Sequence, residues 1–352
     1  MVRISHGEFR MATPLIVLCS LGVALVQGQG TPPHLESFLQ QQIGLDAKQI
    51  GAMERGETVV KVLQRPEQRD IAVFGIVTLG VGREAYVAKA RDFSTALRAP
   101  GRTRFGIFQT PAVAADVQDV LITAQDVEDM KDCKPGNCVM KLPATDMQRL
   151  QAEIDWKADP QSQLTAFART RMIEYVTDYR AHGDSAMVVY DDRTRQNVHS
   201  SDVFAALLAA SPYIYQNIPS LQRYYSTYPK ETLPGAAEVL FWAEDAIPHM
   251  RPILSLTHRV VYTPPELQGL SVIASKQIYA NHNFESALEI VCVADRPGPS
   301  GTATGSYLMV LRHYRFDNLP SGGIVNLKGR ATGGLRDRLS DDLKREKEIA
   351  VQ

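Results

Sequence analysis

Four long β-type runs stand in series near the C-terminus: Ile253–Thr263, Leu270–Asn281, Phe284–Ala294 and Ser306–Phe316. Pro264-Pro265, Asn281-His282-Asn283 and a Gly/Pro/Ser/Thr stretch at 297–305 separate them, and these are hairpin-loop residues. Strands joined by short loops pair with their sequence neighbours, so an antiparallel meander is expected. A loop at 317–331 leads to a predicted helix from Gly333 to Ala350. Leu335, Leu339 and Leu343 form one stripe of it, while Arg336, Asp337, Asp341, Asp342, Lys344 and Lys347 cover the other side. A helix apolar on one side has to bury that side, and the sheet is the surface on offer.

Upstream elements are shorter. Thr58–Leu63 and Ile71–Leu79 read as two strands joined by the polar stretch Arg65 to Asp70. Tyr86, Ala90, Phe93 and Leu97 recur at helical spacing and predict a helix over Arg83–Leu97. One or two short helices are expected between His34 and Gly56, with Asp46 as a cap. Further strands are predicted at Arg104–Phe108, Val117–Ile122 and Cys138–Leu142. Residues 143–250 read as mostly helical. The clearest helix there runs from Pro160 to His182, capped by Asp159 and ended by Gly183. A short strand at Ala186–Tyr190 and a helix at Ser201–Ala210 follow it. Five of the chain's 13 tyrosines fall between 213 and 228. They suit either aromatic packing with wet hydroxyls or a lid over a pocket. With no repeat and no long polar linker, residues 31–352 read as one domain with a helical insertion at about 143–250.

The first 30 residues have the order of a secretory signal peptide. Arg3 and Arg10 precede an apolar run of 13 residues, Pro14 to Val26, and Gly28-Gln29-Gly30 offers small residues for cleavage. That run is shorter than the roughly 20 apolar residues a membrane span needs. An exported chain, periplasmic or extracellular and with no stable membrane span after cleavage, is expected. In an oxidising compartment Cys133-Lys-Pro-Gly-Asn-Cys138 should close a disulfide, because its Pro-Gly turn reverses the chain between the thiols. Cys292 lies inside a strand-like run and reads as a buried small hydrophobe. The net charge is −1, from 38 Lys and Arg against 39 Asp and Glu, which gives no electrostatic reason to expect nucleic acid as a partner.

Catalytic signatures are missing from the sequence. Gly301-Thr-Ala-Thr-Gly305 has Ala where a nucleophile elbow has Ser, and Gly322-Gly323 to Lys328 has the wrong spacing for a P-loop. No metal-ligand set and no cofactor motif is found, and no nucleophile–base pair is legible. The polar groups that stand out lie on strands with apolar neighbours: His258, Lys276, Tyr279, Tyr307, Arg312 and His313. A mainly apolar pocket with a few orienting polar groups needs this mixture. Alternation places His258 with Leu256 and Val260, and sends Arg259 to the opposite face with Ser255 and Thr257.

The order of elements resembles that of the START-like, helix-grip superfamily. Three stretches carry the resemblance. They are Ile71–Leu79 followed by the helix containing Ala90-Arg91-Asp92-Phe93, the strand Ser306-Tyr307-Leu308-Met309-Val310-Leu311, and the helix Gly333–Ala350. The chain is also similar to an uncharacterised group of exported bacterial proteins that share the Cys-x4-Cys element and the strand Lys276-Gln277-Ile278-Tyr279-Ala280. The first resemblance implies an α+β fold, a curved antiparallel sheet wrapped around a long C-terminal helix. It also implies an apolar space between them for a lipid or another hydrophobic small molecule. Two alternatives stay open. One is an enzyme of hydrolase or cyclase type in the same cavity, with His258 or His313 as base and Arg312 or Lys276 as anion stabiliser. The other is an interaction protein without a cavity.

Overall fold

The serial β-runs form the middle of an eight-stranded antiparallel sheet. In a computed structural model, residues 31–194, 196–211, 217–246, 251–298, 302–318 and 326–350 are described. The leader at 1–30 and the tyrosines at 213 and 215 lie outside them. The strands are β1 Val59–Leu63, β2 Asp70–Leu79, β3 Arg102–Ile107, β6 Ala237–Asp245, β7 Ile253–Tyr262, β8 Leu270–Ala280, β9 Phe284–Pro297 and β10 Ala303–Phe316. β4 Val189–Arg193 and β5 Gln196–His199 form a separate hairpin. The order across the large, curved sheet is β1-β2-β10-β9-β8-β7-β6-β3. Strands β6 to β10 are therefore a meander, and β10 closes against the first hairpin through β2. The fold class is α+β, as expected from the sequence.

Helices cover both faces. The C-terminal helix, Leu327–Ile349, buries Leu339 and Leu343 against Val73, Val77, Val291, Val293, Leu308 and Val310. Its approach to β2 is close. A Cβ on Gly75 would stand 2.5 Å from Leu343 Cδ1 and 3.2 Å from Leu339 Cγ, so glycine is what lets the helix seat there. Helix α3, Arg83–Arg91, and the turn α4, Phe93–Ala96, lie on the same face, with Val87 buried. The opposite face carries the helical block. Here α7, Pro160–His182, α8, Ser200–Ala209, and α9, Pro219–Thr227, bury Val176, Tyr179, Phe204, Leu208, Leu221 and Tyr225 against the sheet. Near β1, β2 and β10 that same face is closed by α1, Pro33–Phe38, the π-turn Leu39–Ile43 and α2, Ala47–Glu54. A capping box on Asp46 opens α2. Two further helices, α5 Ala124–Lys131 and α6 Ala144–Glu153, pack with α7 around Met130, Met147, Leu150 and Leu164. The C-terminal helix is α10. No helix among the described residues is long and apolar enough to cross a membrane.

Several local expectations need correction. The predicted helix over Arg83–Leu97 breaks at Asp92, whose carboxylate accepts from Ser94 Oγ at 2.6 Å and whose carbonyl accepts from Thr95. Val117–Ile122 is not a strand. Its apolar residues Val117 and Val120 do face the core, but its carbonyls are bonded by side chains of α7: Arg169 to Val120 at 3.1 Å and Gln161 to Ile122 at 2.8 Å. Cys138–Leu142 makes no ladder either, and Lys141 N–H donates to Asn281 O in the β8–β9 turn. β6 falls inside the stretch read as mostly helical. Its Val239, Leu240, Phe241 and Trp242 are buried on both faces, which removes the alternation that marks a half-exposed strand. Cys133 and Cys138 are joined, with Cα atoms 4.5 Å apart.

Candidate functional site

A cavity of about 750 Å³ lies between the sheet, α3, α4 and α10. Its walls are apolar over most of their extent, with Ile273, Val291, Leu308, Val310, Leu339 and Leu343 among them. Pairing register explains where its polar groups sit. Arg259 faces Ser275, Ser275 faces Glu289, and Glu289 faces Arg312, so one cross-strand row on β7, β8, β9 and β10 is polar. The adjoining row, Val261, Ile273, Val291 and Val310, is wholly apolar.

Ser275 is small, so the Arg259 side chain can lie across β8 and reach the second strand over. Its Nε donates to Ser275 Oγ at 2.9 Å and its Nη2 to Glu289 Oε1 at 3.3 Å. Arg312 Nε donates to the other oxygen, Oε2, at 2.8 Å. Arg312 Nη1 then reaches Asp342 on α10 at 2.7 Å, and Arg345 Nη2 meets the same carboxylate at 2.5 Å. The result is an alternating chain, Arg259–Glu289–Arg312–Asp342–Arg345. Burial opposes ionisation of Glu289, but the Arg312 and Arg259 guanidiniums outweigh it and hold its pKa below the ordinary value. Burial lowers the pKa of Arg259 itself. Beside the row, Gln277 lines the cavity and its buried Oε1 has no hydrogen-bond partner.

Of the six polar residues singled out in the sequence, Arg312 alone lines this cavity. His258, Lys276 and His313 share one cross-strand row on the other face, where Leu288 stands between Lys276 and His313. His258 is enclosed by tyrosines. Tyr224 donates to Glu238 at 2.6 Å, so its oxygen is left to accept from His258 Nε2 at 3.1 Å. Nδ1 then accepts from Tyr179 at 3.0 Å. Burial pushes the imidazole pKa down, which keeps the neutral form that this assignment requires. Lys276 is fully buried, paired with Asp184, and its Nζ lies 4.5 Å from the Phe204 ring centroid. Burial lowers its pKa as well.

Tyr279 reaches the Lys276 face through a bulge. Leu256 pairs with Tyr279 but Thr257 pairs with Gln277, so Ile278 is an extra residue and the alternation slips. The Tyr279 hydroxyl donates to Lys141 O at 3.1 Å. Tyr307 packs under the N-terminal helices, with its hydroxyl 3.4 Å from Glu54. His313 lies between Ser211, at 3.5 Å, and Asp70, at 3.1 Å. A Ser–His–Asp order of this kind is the path of a serine nucleophile. Ser211 and His313 are fully buried, however, Asp70 is also held by Arg315, and none of the three lines the cavity. This is a packed hydrogen-bond chain.

Sequence reasoning missed Glu289, Asp342 and Arg345 as a unit. Glu289 had a signal, a lone carboxylate between Leu288 and Ile290 in an apolar strand, whereas Asp342 and Arg345 look like any solvated helix surface. A second group also escaped notice. Asp126 and Asp129 of α5 and His282 of the β8–β9 turn bring ligand-type atoms within 4.8 Å of one another, with Arg251 paired to Asp129. Comparison with family models, with curated proteins and with solved structures finds no match to this chain.

Proposed function

We propose that this chain is an exported binding protein that holds a lipid or another hydrophobic small molecule between its sheet and its C-terminal helix. The observation that carries the reading is the cavity: about 750 Å³, apolar-walled, with one polar row across its floor. Ligand pockets run from roughly 300 to 1,000 Å³ and combine apolar walls with a few orienting polar groups. An apolar ligand seated there would take apolar wall out of water, which is favourable by about 25 cal/mol per Å². The polar groups on the opposite face are spent on holding the helical block to the sheet. That leaves the α10 side as the place for a guest. The basic, apolar and small-residue order of residues 1–30 supports export.

The test is extraction of small molecules from the protein purified from its export compartment, followed by mass spectrometry, with titration of the neutral apolar dye Nile red alongside. A co-purifying amphiphile, or saturable dye binding that Leu308→Trp reduces, is the expected result. Protein that carries nothing and binds no dye overturns the reading.

A further inference from the structure

We infer that the ligand carries a carboxylate head group, received by Arg259 and Arg312 on the cavity floor. This deepens the binding reading above and rests on it. Charge is the first ground. The chain Arg259–Glu289–Arg312–Asp342–Arg345 contains three guanidiniums and two carboxylates, so it holds one positive charge more than it neutralises. The cavity lining as a whole leans the same way. Lys89, Arg98, Arg102 and Arg338 join those three arginines, against Asp92, Asp245, Glu289, Asp342 and Glu346. Arg102 and Asp245 cancel each other in a bidentate pair, so they do not change the balance.

Unspent donors are the second ground. A guanidinium has five N–H donors. Arg259 uses its Nε on Ser275 and one Nη2 donor on Glu289, and Arg312 uses its Nε on Glu289 and one Nη1 donor on Asp342. The remaining donors of both have no protein acceptor among the described residues, and both side chains line the cavity. Arg259 is also fixed in place by the Phe241 ring, 5.3 Å below its Cζ. Two anchored guanidiniums with free donors and a surplus charge match a planar carboxylate, which accepts several N–H bonds at once. The apolar row beside them, from Ile273 to Val310, suits an alkyl tail. A cationic head would meet the surplus charge, and a neutral hydroxyl would leave it uncompensated.

The experiment compares myristate with 1-tetradecanol as competitors of Nile red on the full mature protein at pH 7.5. Myristate is expected to displace the dye at a concentration about tenfold lower than the alcohol, the factor that one additional charge-assisted bond supplies. Two variants then move this ratio in opposite directions. Arg259→Gln should bring acid and alcohol to within about twofold of each other. Glu289→Gln keeps the shape of the floor and removes a negative charge, so it should widen the preference for the acid. A purely structural role for the row would lower stability in both variants without moving the ratio in opposite senses. Dye binding with equal displacement by acid and alcohol overturns the head-group inference alone. Failure of the wild-type protein to bind dye or either competitor overturns the binding reading together with it.

Discussion

Arg312 on β10 and Asp342 on α10 are joined by a 2.7 Å hydrogen bond across the cavity. The same arginine holds Glu289 on the neighbouring strand, so one side chain couples the floor of the cavity to the helix that roofs it. A guest that engages Arg312 therefore acts on the seat of α10 as well as on the sheet.

Removing this arginine should be costly. Arg312→Met leaves Glu289 with Arg259 alone and Asp342 with Arg345 alone. The expected loss is about 2 to 3 kcal/mol, below the range for a fully buried pair because both carboxylates keep some solvent. Adding Asp342→Leu to Arg312→Met should restore at least about 1 kcal/mol, since the two positions are in contact and do not act independently. Urea denaturation of the two variants checks this. An Arg312→Met midpoint equal to wild type would show that the link carries no stability.

Gly75 sets how closely α10 can approach. Gly75→Ala puts a methyl group 2.5 Å from Leu343 Cδ1, so the helix must shift or the leucine must leave its rotamer. Overpacking of that kind costs about 1 to 3 kcal/mol. Gly80 has no atom within 4 Å of the corresponding position, and Gly80→Ala is the control that should leave the melting temperature near wild type. Equal melting temperatures for both variants would mean that α10 does not press on β2.

Strands β7 to β10 and the covering helix were legible because their signals are local. Each strand is a long β-type run, each turn between them has turn residues, and Leu335, Leu339 and Leu343 fall on one helical stripe. Asp159 and Gly183 likewise mark the ends of α7 to the residue. What was not legible depends on register. Alternation assigned Arg259 and His258 to opposite faces correctly, yet only strand pairing brings Arg259 over Ser275 to Glu289. The bulge at Ile278 moved Tyr279 to the Lys276 face, which no period-two count foresees. Nor does one sequence say which face keeps a cavity. The expected site residues were drawn from both faces, and five of the six lie on the face that α1, α2 and α7 to α9 cover, away from the cavity.

Leu339 and Asp341 separate a packed helix from a solvated one. Leu339 is fully buried and Asp341 is exposed. Leu339→Ala should cost about 2 to 5 kcal/mol, as core truncations do. Asp341→Ala should change stability by no more than about 0.5 kcal/mol. Thermal melts of the two, side by side, decide the matter, and coincident curves would contradict burial of this stripe.

Cysteine reactivity should divide in the same manner as cysteine environment. Cys133 and Cys138 are bonded, whereas Cys292 is free and half-buried, and desolvation pushes its thiol up to about 12, so little thiolate exists near neutrality. A maleimide reagent at pH 7.5 should modify none of the three in the native protein. After mild reduction Cys138 should label first, because its neighbours in the Pro-Gly loop are exposed, and Cys292 should label only on unfolding. Mass spectrometry of the labelled peptides gives the order directly. Rapid native labelling of Cys292 would place it at an opening of the core.

Acid should weaken the fold in two stages, and buried histidines govern the first. His258, His282 and His313 all have pKa values lowered by burial in the folded chain. Each takes up a proton more readily when unfolded, so the stability they permit is full above the ordinary histidine value of about 6.5 and declines as pH drops below it. His258 should contribute strongly, because protonation at Nδ1 would turn the acceptor facing Tyr179 into a donor and would charge a fully enclosed ring. The second stage belongs to the carboxylates. Asp70, Glu238 and Glu289 have pKa values held below the ordinary range, against the opposing effect of burial, by bonds and charges from His313 and Arg315, from His258 and Tyr224, and from Arg312 and Arg259. Their contribution is present above the unfolded value of about 4 and is lost as pH falls through the folded one. Urea midpoints measured at pH 7.5, 5.5 and 3 should therefore fall in two steps. In His258→Gln the drop between pH 7.5 and 5.5 should shrink, while the drop toward pH 3 should persist. Midpoints that do not change between pH 7.5 and 5.5 in the wild-type protein would show that these rings are not enclosed as described.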